Sequence, residues 1–451
     1  MTWKLKLQKL NKQKIALLGL GLDNQALLIL LNAAKIKAPI TICDARPKNK
    51  LSIPKLKNLK INYQLEKEFN KNLYKFDLLF RSPGWPLSCP GVKEALKKGQ
   101  TKINSPLNLF FSLTATKNII GVTGSKGKGT TATLIYKILK DAGRRVFLGG
   151  NIGVAPLSFV TKIQPSDYVI LELSSFQLED LKYSPRIAVI TNLFPEHLAP
   201  ADPYNPNFHH SYAAYWRAKL NIAAHQDNHY LVVNNRLKTK LKNKATDENL
   251  PGKKIYFKTS SLPSKLMGSY NQENIAAAVE VAKLLKIKTA KYKKAIANFN
   301  NLEHRLELAR SKNGVNYFDN SFSTTPESTI LDLKSFTGPI ILIAGGADKG
   351  ADFRALAKVI KNKVKFLVLL TGQATPRITK NLLSLKFTPT KMIEVDSMEK
   401  AVMLAHNQAK PGDTVLLSTA CASFGLFKNY KERGELFKKY VRKITNDLKQ
   451  I

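Results

Sequence analysis

The chain has 451 residues, enough for two to four domains at roughly 100–200 residues each. Hydrophobic residues make up 44% of it, an ordinary share for a soluble globular protein. The 72 lysines and arginines exceed the 32 acidic residues and give a net charge of +40, which favours anionic partners. The lysines are spread along the whole chain without an arginine-rich block. We therefore interpret the charge as a solvated surface rather than a nucleic-acid-binding module.

The three cysteines, Cys43, Cys89 and Cys421, lie far apart. They do not form a disulfide framework or a zinc-binding pattern, which indicates a reducing compartment. No stretch reaches the ~20 apolar residues of a membrane span. The apolar run at 15–22 is short and is followed by polar residues, so it predicts a strand rather than a secretion signal. We expect a cytoplasmic protein without membrane insertion.

Buried-strand runs alternate with helical runs along the chain, which predicts α/β architecture with largely parallel sheets. In a first region, ending near Pro106, we expect strands at 15–20, 40–43 and 77–80. A central region, ending near Asn301, has predicted strands at 119–122, 168–173, 187–191 and 230–233 and a helix at 274–285. The last region has predicted strands at 340–343, 365–370 and 414–417, with helices from about Phe353, Met398 and Lys428.

The strongest motif is GVTGSKGKGT, from Gly121 to Thr130, between a predicted strand and a predicted helix. Its glycines let backbone N–H groups approach an anion, and the helix N-terminus adds partial positive charge. Lys128 can reach the β- and γ-phosphates of ATP, and a following hydroxyl can hold Mg²⁺. Gly129 stands where a strict Walker A motif has Ser or Thr, so we assign the metal to Thr130. The predicted ATP-binding residues here are Gly124, Ser125, Lys126, Gly127, Lys128, Gly129 and Thr130.

Glu172 closes the predicted strand at 168–173 and begins the string ELSSFQ. A carboxylate at a strand end can face the same crevice as the phosphate loop and bind a metal ion. Further short strings follow one another in a fixed order: GGNIG at 149–153, NLFPEH at 192–197, WRAK at 216–219, GSYNQEN at 268–274, HR at 304–305, GGADK at 345–349 and TACASF at 419–424.

This order of motifs resembles the Mur ligases over essentially the whole chain, and the C-terminal strings resemble those of members that add D-glutamate. The resemblance implies three domains. A Rossmann-like domain at 1–106 would bind the UDP substrate, and a P-loop ATPase-type domain at 107–301 would bind ATP. A Rossmann-like domain at 302–451 would bind the incoming amino acid.

The resemblance also implies an activity. ATP phosphorylates the carboxylate of UDP-N-acetylmuramoyl-L-alanine, and the amine of D-glutamate attacks the acyl phosphate, in the synthesis of peptidoglycan precursors. Two Mg²⁺ ions are implied, with ligands that match Thr130, Glu172, His197 and a carbamylated Lys219. The catalytic residues would be Lys128, Glu172, His197, Lys219 and Lys349. We expect a monomer.

The remaining implied contacts fall into three groups. Further ATP contacts match Asn271, Asn274, Arg305 and Asn320. Contacts to the UDP substrate match Leu22, Asp23, Asp44, Arg46, Ser82, Pro83, Gly84, Asn151, Ser174 and Gln177. The D-glutamate pocket matches Thr324, Lys349, Ser423, Phe424 and Tyr430.

Several positions depart from the family pattern. Phe322 stands where D-glutamate-adding enzymes often have Lys, Tyr270 replaces a common His, and the pair at 319–320 is reversed to Asp-Asn. An insertion at 199–212 contains two histidines that we interpret as loop residues rather than ligands. Three alternatives stay open: a folylpolyglutamate-synthase-like ligase, a non-enzymatic basic nucleic-acid-binding protein and an inactive paralogue. The first-region strings argue against the first of these.

Overall fold

The computed structural model of the chain describes residues 2–198, 206–227, 229–241, 250–348 and 350–444. Lys349, assigned from the sequence to the D-glutamate site, lies outside the described residues. The chain divides into two compact units, one comprising Met1–Pro263 with Gln272–Asn298 and the other Ser264–Asn271 with Phe299–Ile451. Two sheets lie in the first unit and a third sheet lies in the second.

The first sheet is five-stranded and parallel, in the order β3-β2-β1-β4-β5. Chain order reverses between β1 and β4, and ligands of such sheets bind at this crevice beyond the strand ends. The strands are β1 Ile15–Leu18, β2 Ile40–Asp44, β3 Ile61–Leu65, β4 Leu78–Arg81 and β5 Lys102–Asn104. The helices are α1 Trp3–Gln8, α2 Leu22–Ala33, α3 Pro90–Lys97 and α4 Pro106–Leu113.

The second sheet is six-stranded and parallel, in the order β11-β10-β9-β6-β8-β7. All five residues of β6 are buried, and its carboxyl end carries the phosphate loop. The strands are β6 Ile119–Thr123, β7 Val146–Gly150, β8 Tyr168–Glu172, β9 Ile187–Ile190, β10 Tyr230–Asn234 and β11 Lys253–Phe257. The helices are α5 Lys128–Asp141, α6 Ser175–Leu178, α7 Tyr212–Leu220, α8 Ser269–Leu284 and α9 Thr289–Ala297.

The third sheet has the order β12-β13-β17-β14-β15-β16, and its edge strand β12 alone runs antiparallel to its neighbour. Apolar side chains from both faces of the sheet form two cores. The strands are β12 Glu307–Lys312, β13 Val315–Asp319, β14 Ile340–Gly345, β15 Val364–Leu370, β16 Met392–Val395 and β17 Thr414–Leu417. The helices are α10 Pro326–Lys334, α11 Arg354–Lys363, α12 Thr375–Ser384, α13 Met398–Gln408 and α14 Tyr430–Lys443.

The predicted α/β class with parallel sheets is confirmed, and each of the ten predicted strands is present within two residues of its predicted limits. The predicted helix starts near 353, 398 and 428 correspond to α11, α13 and α14. Within the described ranges, no helix has both the length and the apolar character needed to cross a bilayer.

Candidate functional site

The phosphate loop joins β6 to α5, and two of its glycines are required by close packing. Gly124 and Gly127 have φ angles of +144° and +82°, which residues with a side chain rarely adopt. A Cβ at Gly124 would clash with the Thr191 hydroxyl, and a Cβ at Gly127 would clash with the Asn274 amide. Asn274, one of the predicted ATP contacts, therefore lies directly against the loop.

The lysines of the loop are held by neighbouring groups. Lys128 donates from its ammonium to the Ser125 carbonyl at 2.9 Å. Lys126 forms an ion pair with Glu196 at 2.9 Å. Burial acts to raise the pKa of Glu196, but the charges of Lys126 and Lys128 outweigh it and lower this pKa to about 2. The loop thus concentrates positive charge at the N-terminus of α5, as an anion-binding site requires.

Glu172 lies at the end of β8, beside the end of β6 in the parallel register. One carboxylate oxygen accepts from the Asn151 amide at 3.2 Å. The other, Oε1, is buried and has no hydrogen-bond partner among the described residues. A buried carboxylate oxygen without a donor is costly unless a cation satisfies it. Together with the hydroxyl of buried Thr130 on the first turn of α5, it offers the oxygen ligands that Mg²⁺ prefers.

Lys219, on α7, has its ammonium buried above the phosphate loop. It donates to the Gly124 carbonyl at 2.8 Å and to the Thr123 hydroxyl at 3.3 Å, with 2% of the residue exposed. Burial and the Lys128 charge lower the pKa of this lysine well below its usual value, against the opposing effect of Glu196 and Glu172. A bare ammonium is therefore disfavoured at this position.

His197 has a left-handed backbone, with φ of +59°, and an exposed side chain. Its ring packs edge-on against Phe176 at 5.0 Å. The backbone N–H of His209 donates to the His197 carbonyl at 2.8 Å. His209 itself is 3% exposed and stacks on Phe176 at 4.9 Å, and burial lowers its pKa to about 4.

A cavity of about 400 Å³ lies at the switch point of the first sheet. It is lined by nine of the ten residues assigned to the UDP substrate: Leu22, Asp23, Asp44, Arg46, Ser82, Pro83, Gly84, Asn151 and Gln177. The tenth, Ser174, is not part of the lining. Instead it caps α6, accepting from the Gln177 N–H while the Gln177 side chain accepts from the Ser174 N–H.

Two aspartates in this cavity have pKa values shifted in opposite directions. Burial raises the pKa of Asp23 to about 6, although the Gln177 amide donates to its carboxylate at 3.3 Å. Asp44 is 3% exposed, but hydrogen bonds from Arg46 and from the Leu20 N–H outweigh its burial and lower its pKa.

In the second unit, Asp319 and Asn320 both form hydrogen bonds through their side chains. Asp319 shares a hydrogen bond with the buried His304 ring at 2.7 Å. Asn320 donates to Asp332 at 2.6 Å. The Arg305 guanidinium lies over the Phe322 ring, 3.6 Å from its centroid.

The residues assigned to D-glutamate are dispersed over several elements of this unit. Ser423 is buried and Phe424 exposed in the segment after β17, and Thr324 precedes α10. Tyr430 begins α14 and packs edge-on against Phe322 at 5.1 Å. Asn271, assigned to ATP, donates to the Met267 carbonyl at 2.6 Å.

Comparison with known proteins identifies the family. The family model described as the Mur ligase middle domain matches residues 122–282, and the Mur ligase glutamate ligase domain matches residues 304–421. A protein from Acetivibrio thermocellus named UDP-N-acetylmuramoylalanine–D-glutamate ligase is 36% identical, over 97% of this chain and 98% of its own length. A protein of the same name from Ruminiclostridium cellulolyticum is 35% identical, over 96% of this chain and 97% of its own length. The chain belongs to the Mur ligase family.

Solved structures share the fold of this Mur ligase. UDP-N-acetylmuramate–alanine ligase of Thermotoga maritima has a TM-score of 0.56 at 15% identity and covers 96% of this chain and 99% of its own. MurF ligase of Thermotoga maritima in complex with ADP has a TM-score of 0.56 at 19% identity over 78% of this chain and 91% of its own. FolC of E. coli with ADP has a TM-score of 0.55 at 16% identity and covers 75% of this chain and 92% of its own.

Sequence reasoning missed a buried ionic network between the first two sheets of this Mur ligase. Arg81, at the end of β4, is 1% exposed. Its guanidinium binds Asp180 at 2.8 Å and Glu179 at 3.2 Å. Asn207, from the insertion, donates to Glu179 at 3.2 Å and to the Pro83 carbonyl at 2.8 Å. Arginine at a buried strand end was the available signal for this network, whereas its acidic partners could not be chosen from the sequence.

Proposed function

We propose that this Mur ligase joins D-glutamate to UDP-N-acetylmuramoyl-L-alanine with conversion of ATP to ADP and phosphate, in the synthesis of peptidoglycan precursors. The observation that carries the proposal is its similarity, over 97% of its length, to an enzyme named for this reaction. The reaction forms a C–N bond. Because the UDP substrate is water-soluble, we place the enzyme in the cytoplasm, and we propose that it acts as a monomer.

We propose that the three regions have separate tasks: 1–106 binds the UDP substrate, 107–301 binds ATP and 302–451 binds D-glutamate. The glycine-lined loop and Lys128 hold the ATP phosphates, since backbone N–H groups and a lysine at a helix N-terminus favour anions. The cavity of about 400 Å³ holds the UDP end of the acceptor. Arg305, Asn271, Asn274 and Asn320 complete the nucleotide contacts.

Two Mg²⁺ ions fit the residues of the central region. Glu172, with its unpartnered oxygen, and Thr130 would hold the first ion. His197 and Lys219 would hold the second after CO₂ adds to the Lys219 amine to form a carbamate, with loss of a proton. A carbamate fits this position because it replaces a buried cation, close to Lys128, with anionic oxygens. The ions would neutralise charge on the phosphates.

The proposed chemistry has two steps. The muramoyl-alanine carboxylate attacks the γ-phosphorus of ATP, so that an acyl phosphate forms and ADP leaves. The amine of D-glutamate then attacks the acyl carbon and gives up a proton, and the new amide bond forms as the C–O bond to inorganic phosphate breaks. Phosphoryl transfer depends mainly on positioning and charge neutralisation. The loop lysines and the site around Glu172 are suited both to positioning the phosphates and to neutralising their charge.

The test measures phosphate release from MgATP with UDP-N-acetylmuramoyl-L-alanine and, in turn, D-glutamate, L-glutamate and glycine. We expect release with D-glutamate only, together with a mass gain on the nucleotide that equals one glutamate less one water. Glu172→Gln should abolish release, whereas Glu280→Gln, on the partly exposed face of α8, should not.

The same assay decides between the alternatives. Release with a folate and L-glutamate, but not with the UDP substrate, would instead establish a folylpolyglutamate-synthase-like ligase. Folded protein that releases phosphate with none of these acceptors would contradict the proposal.

A further inference from the structure

Among the described residues of the second unit, the shortest contact between a cation and an aromatic ring is that of Arg305 with Phe322. Arg305 places its guanidinium carbon 3.6 Å from the centroid of Phe322, well within the range of a cation–π contact. Phe322 remains 40% exposed. An exposed phenylalanine at this position adds little to a core, so its contact with the arginine accounts for it better than burial does.

The backbone around Arg305 is held in one conformation. The residues on either side, His304 and Leu306, have φ angles of +60° and +47°, which non-glycine residues adopt only where surrounding contacts impose it. His304 is 2% exposed, and its N–H donates to Glu307 at 2.9 Å. Its ring is fixed by the bond to Asp319 at 2.7 Å.

The ring beneath Arg305 is fixed as well. The Phe322 N–H donates to the His304 carbonyl at 3.2 Å, which ties the two partners' segments together. Tyr430 packs edge-on against the Phe322 ring at 5.1 Å and 89°. The Tyr430 carbonyl in turn accepts from the Ser321 hydroxyl at 2.7 Å.

We propose that Phe322 is a positioning residue that holds the Arg305 guanidinium ready for an anionic phosphate of the nucleotide. Stacking uses the face of a guanidinium, whereas phosphates are bound by N–H groups in its plane, so one arginine can make both contacts. A lysine at 322 would instead repel Arg305. The inference rests on the proposed function in one respect, namely that the anion is the phosphate of ATP.

Kinetics with substitutions at 322 test the role. Phe322→Leu removes the aromatic face and should lower kcat/KM for ATP about threefold to tenfold, with KM for D-glutamate unchanged. Phe322→Trp should restore the wild-type value, and Phe322→Lys should lose more activity than Phe322→Leu. In an Arg305→Ala background, Phe322→Leu should have no further effect. Leu383→Ala, at a residue of similar exposure (46%), is the control.

A measurement without substrates separates this proposal from the proposed function. In protein labelled with ¹⁵N-arginine, the Arg305 Nε–H resonance, identified by its loss in Arg305→Lys, should be shifted upfield by the ring. The upfield shift should disappear in Phe322→Leu and persist in Phe322→Trp. An unchanged resonance in Phe322→Leu would overturn the proposal even in an active enzyme. So would a rise in KM for D-glutamate with ATP kinetics unchanged. If the wild-type enzyme lacks ligase activity while the shift behaves as expected, only the proposed function fails.

Discussion

Two aspartates that line the cavity of the first sheet, Asp23 and Asp44, show how the surroundings of a carboxylate set its pKa. Asp23 is disfavoured as an anion because burial outweighs its single amide donor, whereas Asp44 is favoured because Arg46 and a backbone N–H donate to it. Both lie at the carboxyl end of the first sheet, Asp44 as the last residue of β2 and Asp23 in the first turn of α2. The difference depends on contacts that only the folded chain supplies.

This difference predicts opposite pH dependences. The folded-state pKa of Asp23 is raised from 3.8 to about 6, so the native state binds more protons and loses stability as pH rises through that window. Asp23→Asn should therefore raise the free energy of unfolding at pH 7 by up to about 3 kcal/mol, with little effect below pH 4. Asp44→Asn should lower the free energy of unfolding at pH 7, because the folded-state pKa of Asp44 is depressed. Urea titrations at pH 4 and pH 7 measure both. A stability gain from Asp23→Asn that is equal at the two pH values would contradict the assignment.

Lys219 supplies a second prediction at this scale. If its carbamate is what binds metal, Lys219→Ala should reduce kcat by at least about 100-fold, the size of effect expected when a group that acts on the transition state is lost. Short carboxylates such as formate or acetate should partly restore activity, because they return anionic oxygens to the cavity. Lys283→Ala, at an exposed residue near the end of α8, is the control. Rescue by methylamine rather than by carboxylates would mean that the lysine acts as a cation.

At the level of elements, the sequence predicted interior strands and missed edge strands. The ten predicted strands are long apolar runs, such as β6 and β14, in which every residue is buried. Six of the seven missed strands, β3, β5, β7, β11, β12 and β16, occupy the edges of the three sheets, and the seventh, β13, lies inside the third sheet. Edge strands are partly exposed, and all of these except β7 carry polar residues, as in the three-residue β5. Polar edges oppose aggregation, but they remove the periodic signal on which prediction depends.

The Arg81 network yields a prediction about how elements are joined. Arg81→Met should lower the free energy of unfolding by about 3–5 kcal/mol, because it leaves the Asp180 and Glu179 carboxylates without their buried cation. Replacing those acids as well, with Asp180→Asn and Glu179→Gln, should recover most of the loss. Urea unfolding of the single and triple variants measures the effect. A loss below about 1 kcal/mol in Arg81→Met would show that the acids are satisfied by other groups.

Across the whole molecule, the sequence located strand ends and glycine turns more readily than the side chains that pack around them. The glycine loop at 121–130 and the nine predicted residues that line the cavity could be picked out because they lie at or after the ends of strands in parallel sheets. His209 could not, since a histidine in an insertion gives no sign that its ring will be buried against Phe176. The role of Phe322 likewise depends on Arg305 and Tyr430, which are distant in sequence and meet only through the packing of β13 and α14.

The net charge of +40 is a property of the whole chain and leads to the last prediction. At 0.15 M salt the Debye length is about 8 Å, so scattered lysines act weakly on a distant anion, whereas a clustered basic groove would neutralise many phosphates at once. We therefore expect duplex DNA of 30 base pairs to bind with a Kd weaker than about 1 µM in 0.15 M KCl. The KM for the UDP substrate should rise only modestly between 0.05 and 0.3 M KCl, because the charged residues that we propose bind it line a cavity. Fluorescence anisotropy with labelled DNA, beside steady-state kinetics over the same salt range, measures both. Nanomolar DNA binding that competes with the UDP substrate would show that the lysines form a nucleic-acid surface after all.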